Sequence, residues 1–179
     1  MPTQSRAANF DLRSELLPAE LLPLFDDRFV VSCDLIEEYT FRLALQVARE
    51  LGFERALATG GTAQEIAASA VVGPPLTDWL LRLLAEREVV ARSAEAPSRY
   101  RAHGALPNLN PAEIEHLQAA HDPTALPSFR LAALAAEGYP PVLRGRASGE
   151  EALFAADRIG AWSDYFSNRN PLYAISNQI

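Results

Sequence analysis

The sequence predicts a mainly α-helical fold with one small β-hairpin, and three observations predict it. Apolar residues recur at helical spacing over several long stretches, as in Leu35, Tyr39, Leu43, Val47 and Leu51. Cap and breaker residues punctuate those stretches: Gly52, Thr62 with Glu65, Gly73-Pro74-Pro75, Asn110-Pro111, and Ser148 with Glu151. One pair of short β-prone runs, Val89 to Arg92 and Arg99 to Ala102, is joined by a turn containing Pro97.

The 179 residues suffice for one compact domain, or for a small domain with a packed appendage. Hydrophobic residues make up 49% and charged residues 22%, which suits a globular core and argues against a disordered tail. Residues 1–13 are polar and unpatterned, and read as a frayed end without a signal pattern. In SELLPAELLPLF, Pro18 and Pro23 interrupt Leu16, Leu17, Leu21, Leu22, Leu24 and Phe25. The prolines exclude one regular helix and leave a short helical turn lying on the body or on a partner.

The first clear helix is expected over about 34–51, capped by Ser32 or Asp34, with Gly52 left-handed just past its end. Gly60-Gly61 reads as a turn. Thr62 and Glu65 form a capping box opening a short helix over about 63–70. Pro75 suits the first turn of a helix to about Arg87 that carries Leu76, Trp79, Leu80, Leu83 and Leu84. The hairpin follows. Helix, short helix, turn, longer helix and hairpin make the winged helix-turn-helix order over 34–103, after an N-terminal extension over 1–33. Residues 104–179 are helical again: from Asn110-Pro111 to about Ala120, from Pro123 to Glu137 with Gly138-Tyr139-Pro140-Pro141 as terminator, and from Ser148 through Ser167.

Several chemistries find no support. Gly60-Gly61 lacks the G-x-G-x-x-G spacing and a preceding strand, so it is a turn rather than a phosphate loop. His103, His116 and His121 show no metal-ligand spacing, and His116 and His121 are five apart rather than four. Cys33 is the one cysteine, so it forms neither an internal disulfide nor a cysteine-based zinc site. Glu37-Glu38 and Glu150-Glu151 are explained as helix-start carboxylates. No apolar run approaches the roughly 20 residues of a membrane span, and a cytoplasmic location is expected.

A winged-helix order raises DNA binding, but the charge opposes it. The net charge is −7, and every one of the sixteen basic residues is arginine. The candidate recognition helix sets Arg82 and Arg87 against Asp78, Glu86 and Glu88. Only Arg92, Arg99 and Arg101 of the hairpin offer phosphate contacts. A transcription regulator is therefore the alternative reading. A complete small enzyme has no residue constellation behind it. The most suggestive feature is the aromatic set Phe154, Trp162, Tyr165 and Phe166, beside the polar Asn168 and Asn170. It reads either as core or as one wall of an apolar ligand pocket.

The stretch FRLALQVARELGFERAL, with Leu51-Gly52-Phe53, then Thr62 to Ala67, Leu76 to Arg87 and Arg99-Tyr100-Arg101, resembles the N-terminal winged-helix region of small-molecule S-adenosylmethionine-dependent methyltransferases. The likeness covers 34–103 and extends loosely through 148–175, where Tyr165-Phe166-Ser167-Asn168 and Asn170-Pro171-Leu172-Tyr173 are similar to a linking helix. It also resembles segments of polyketide synthase methyltransferases. The resemblance implies a winged helix that dimerises instead of binding DNA, and following helices that form a lid over the substrate. A Rossmann-like catalytic domain would hold the cofactor beyond this stretch. It implies no catalytic residue, cofactor site or metal in this chain, and substrate contacts from Phe154, Trp162, Tyr165, Phe166 and Tyr173. The implied partners are a second copy, through an apolar surface along 16–47, a methyltransferase catalytic domain, and an acyl carrier protein. Neither membrane nor nucleic acid is expected. The chain reaches Ile179 before any glycine-rich cofactor loop, so it is expected to be an excised piece or a stand-alone relative.

Overall fold

The computed structural model describes residues 19–177, so Leu16 and Leu17, like the polar stretch over 1–13, lie outside it. The fold is mainly helical with one small antiparallel sheet. After a 3-10 turn at Ala19–Leu24, helix α1 runs Asp27–Glu50. It starts earlier than the expected Asp34 because Asp26 is the cap, its carboxylate accepting from the Phe29 N–H at 2.8 Å. Ser32, expected as a cap, is instead buried in the helix and accepts from the Gln118 amide at 3.0 Å. Tyr39, Leu43, Val47 and Leu51 are buried, as the i, i+4 stripe requires.

Gly52 is left-handed at φ +74° and leads into α2 (Phe53–Thr59). Gly60 turns the chain at φ +79°, whereas Gly61 opens strand β1 (Gly61–Thr62), so the expected turn is only one glycine long. Thr62 and Glu65 form both halves of the capping box, at 3.2 and 2.8 Å. They open α3 (Ala63–Ala70), which buries Ile66 and Ala67. Helix α4 spans Pro74–Glu86 and buries Thr77, Leu80, Leu81 and Leu84. Strands β2 (Val90–Arg92) and β3 (Arg99–Ala102) follow. The sheet order is β1-β3-β2, and Tyr100 on the central strand faces both Gly61 and Arg92. The Tyr100 ring is fully buried, and its hydroxyl donates to Asp78 at 2.8 Å, tying the hairpin to α4.

Helix α5 (Pro111–His121) is capped by Asn110, and a 3-10 turn at Pro123–Ala125 leads into α6 (Leu126–Leu143). Helix α6 does not stop at Glu137. Gly138 stays helical, and Pro140 and Pro141 sit inside the last turns. The cap comes later, where left-handed Gly145 and Arg146 donate to Val142 and Pro141. Gly138 serves packing: a Cβ there would lie 2.9 Å from the Ala152 Cβ of α7 (Gly149–Phe154). The single helix expected over 148–167 is two, α7 and α8 (Ile159–Tyr165), followed by α9 (Pro171–Ala174). Side chains replace the ladder at the break. Arg158 donates to the carbonyls of Ala152 and Leu134, and the Trp162 indole donates to Leu153 at 2.7 Å.

Two apolar clusters hold these elements. The larger joins α1, α2, α3, α4 and the sheet around Leu45, Phe53, Leu81 and Tyr100. The smaller joins α1, α5 and α6 around Tyr39, Ile114 and Phe129, with the two rings 4.9 Å apart. Each fully buried aliphatic or aromatic side chain contributes about 1.5–3 kcal/mol.

Gly138→Val should force α6 from α7 and cost about 1–3 kcal/mol in urea unfolding; an unchanged midpoint would refute the close-packing role. Burial, with Glu115 and Glu137 nearby, pushes the Tyr39 hydroxyl up to about 12, and burial alone does the same for Tyr139. A tyrosine held neutral in this way adds stability below its ordinary value near 10 and loses it as pH rises through the folded value. Stability should therefore fall between pH 10 and about 12, with Tyr39 and Tyr139 ionising late in an absorbance titration. Five tyrosines titrating together near 10 would contradict this.

Candidate functional site

Helices α1 and α6 run side by side in the same direction, and a groove follows their seam. One end is a cavity of about 540 Å³ between Cys33, Ile36 and Glu37 of α1 and Ser128, Leu131 and Ala132 of α6. The other is a narrower cavity of about 200 Å³ between Thr40, Ala44 and Val47 of α1 and Ala136 and Tyr139 of α6. Ala132 and Ala135 line both. From Cys33 to Val47 the seam is roughly 20 Å long, at about 1.5 Å rise per residue. Alanines create the space: methyl groups stand where leucines would close the seam.

Tryptophans mark the two ends. Trp79 of α4 lines the narrow end, 6.0 Å from the Tyr139 ring, whose hydroxyl donates to the Leu76 carbonyl at 2.8 Å. Trp162 and Tyr165 of α8 line the wide end with Leu153 and Leu172.

The five aromatic residues expected at the site form one contiguous cluster. Trp162 stacks on Phe154 at 4.8 Å and on Phe166 at 5.5 Å. Tyr173 meets Tyr165 at 5.3 Å and Phe166 at 5.0 Å. They divide by position: Trp162 and Tyr165 line the cavity, whereas Phe154 and Phe166 are each half exposed on the outer side. Ile159 is equally exposed. Asn170 anchors the assembly. It is fully buried, and its amide donates to Ser128 Oγ at 2.9 Å and to the Tyr165 carbonyl at 3.0 Å. Asn168 is exposed.

The electrostatics do not activate Cys33. Burial first, and then the carboxylates of Asp34 and Glu37, push the Cys33 thiol up, so it is a poor nucleophile at neutral pH. Glu37 sits 3.4 Å from Arg87, whose guanidinium also lies 5.5 Å from the Phe41 ring centre. His116 and His121 bond backbone carbonyls, and no metal-binding group of side chains occurs among the described residues.

Helix α4 presents little that would read a nucleic-acid groove. Arg82 is paired with Asp78 at 3.1 Å, Arg87 turns back to α1, and the exposed face carries Leu76 and Trp79, the latter 53% exposed.

Trp79, Tyr139 and the alanines were missed as groove residues. Their signal in the sequence is the small-residue spacing of Ala132, Ala135 and Ala136, which matches one helix face. No helix among the described residues is long and apolar enough to cross a membrane.

No family model matches the chain, and no curated protein matches it. Among solved structures, the fold is similar to the crystal structure of selenomethionine-substituted CurJ carbon methyltransferase. The TM-score is 0.72 with 16% sequence identity, over 87% of this chain. The match spans 42% of that longer chain.

Trp162→Ala removes two ring stacks and the Leu153 hydrogen bond. It should cost about 1–3 kcal/mol of stability and raise hydrogen exchange locally in α7 and α8. Uniformly raised exchange across α1 to α4 would contradict a local role.

Proposed function

We propose that this chain is the substrate-lid and dimerisation segment of an S-adenosylmethionine-dependent methyltransferase, non-catalytic by itself. Its substrate is a small molecule or a carrier-tethered acyl chain of the polyketide type. The observation that carries the reading is the fold likeness to a carbon methyltransferase over most of this chain and less than half of the other. In this reading, residues 34–103 are a winged-helix unit turned to dimerisation. The order α3, α4, β2, β3, with β1 added to the hairpin, supports it, as does the apolar outer face of α4.

The α1–α6 groove and the aromatic cluster then supply the substrate wall. An apolar lining of this kind binds acyl chain by excluding water and leaves the reactive end to another domain. Trp162 and Tyr165 orient that chain at the wide mouth, and Asn170 fixes α9 behind them.

The described residues do not fit S-adenosylmethionine. Their one sheet is antiparallel, with strands of two to four residues, and offers no crevice at the carboxyl ends of parallel strands. The Glu65 carboxylate and the Ile66 side chain crowd Gly61. The cofactor belongs to the catalytic domain that is this segment's partner.

The test is methyl transfer by the native gene product, with labelled S-adenosylmethionine and an acyl thioester. Transfer is expected, and Trp162→Ala should lower kcat/KM about tenfold, in line with loss of one aromatic anchor. A native product that transfers no methyl group but shifts duplex DNA in a salt-dependent way would overturn the reading in favour of a transcription regulator. Light scattering on the 179-residue chain should give twice the 19.6 kDa monomer mass; a monomer at high concentration would remove the dimerisation role.

A further inference from the structure

Among the described residues, three of the five arginines without a carboxylate partner lie close to one turn, Thr59-Gly60. Among the described residues nine arginines sit against a carboxylate. Arg55, Arg92, Arg101, Arg146 and Arg169 do not. Three of those five line two concavities that share Thr59 and Gly60: Arg92 and Arg101 beside the sheet, and Arg55 between α2 and α3. One, of about 360 Å³, is bounded by Thr59, Gly60, Arg92, Ser93, Arg99 and Arg101. The other, of about 410 Å³, shares Thr59 and Gly60 and adds Arg55 and Glu65.

The sheet register explains the recess. Arg99 and Arg101 alternate with inward-facing Tyr100, so both stand on the outer face. Ala91 lies opposite Arg101, and Gly60 is close enough that a Cβ there would be 3.3 Å from the Arg101 Cβ. The guanidinium groups thus rise from a floor of small residues. Their one acidic neighbour among the lining residues is Glu65, 3.2 Å from Arg99. That carboxylate also accepts the Thr62 N–H, so it is held in place and occupies the position an anion would take.

We infer that this recess binds a phosphate-bearing small molecule, with Arg55 and Arg101, which have no carboxylate partner, and Arg99, once freed from Glu65, as its charged contacts, and with Glu65 as the internal competitor; Arg92 is turned to Ser98 Oγ at 3.3 Å instead. Arginine forks match phosphate oxygens bidentately. A nucleic-acid backbone fits less well: the net charge of −7 repels a polyanion at long range. The adjacent α4 also offers Leu76 and Trp79 instead of polar readers.

Calorimetric titration of the 179-residue chain with inorganic pyrophosphate tests this, with duplex DNA as the second arm. Wild type should bind pyrophosphate at low salt. Arg101→Gln should weaken binding about tenfold, the worth of one charge-assisted hydrogen bond. Glu65→Gln should tighten it about threefold, because glutamine keeps the capping box while removing the competing charge. Unchanged thermal melts would show that both variants keep the fold. No binding, or affinity indifferent to both substitutions, overturns the inference. DNA binding tighter than pyrophosphate overturns the small-molecule assignment.

Discussion

The parallel contact between α1 and α6 is the constraint on which the rest depends. It is made by a few large rings, chiefly Tyr39 against Phe129, while α6 offers Ala132, Ala135 and Ala136 along the rest of the seam. Large residues at one level set the helix separation, and small ones above and below cannot fill it. The groove is a consequence of that mismatch. Helix α6 also fixes what surrounds the groove. Tyr139 reaches α4 through the Leu76 carbonyl, Arg144 reaches the Glu50 carbonyl at the end of α1, and Gly138 admits α7. Position along one helix therefore decides which walls the cavity has.

A second layer of control is polar and buried. Gln118 bonds Ser32 and the Asp122 carbonyl, and Arg28 lies 2.9 Å from the Asp122 carboxylate. This set holds the first turns of α1 on α5. Gln118 Oε1 has no partner among the described residues, so the network is not fully satisfied. Asn170 plays the matching part at the other end, where it bonds Ser128 and Tyr165. Buried amides that bridge separate elements fix registry where apolar contact alone would permit sliding.

Much of the local structure was legible in the sequence because it rests on local chemistry. Both capping boxes, the Asn110 cap, left-handed Gly52 and strand β3 follow from residues within a turn of one another. The failures are equally physical. Strand β1 is two residues long and exists only because β3 pairs with it, so no local pattern marks it. Gly138, Pro140 and Pro141 look like a helix end, but packing against Ala152 overrides propensity. The break between α7 and α8 is sealed by Arg158 and Trp162 side chains, which leave no periodicity signal. For the candidate site, the five aromatic residues were readable as a set, and they do touch one another. Their division into a cavity-facing pair and an outward-facing group depends on that break. The alanine floor and Trp79 came from elements distant in sequence, and only tertiary structure brings them to the seam.

The two tryptophans have an optical consequence. The chain has only Trp79 and Trp162, and they stand at opposite mouths of the same groove. Its intrinsic fluorescence is thus a two-ended gauge of the channel. An indole against Tyr139 and an indole stacked between Phe154 and Phe166 experience different surroundings. Removing either by substitution with phenylalanine leaves a single emitter at a known mouth. Collisional quenching of that emitter then reads out which mouth a bound molecule covers, with no label added to the protein.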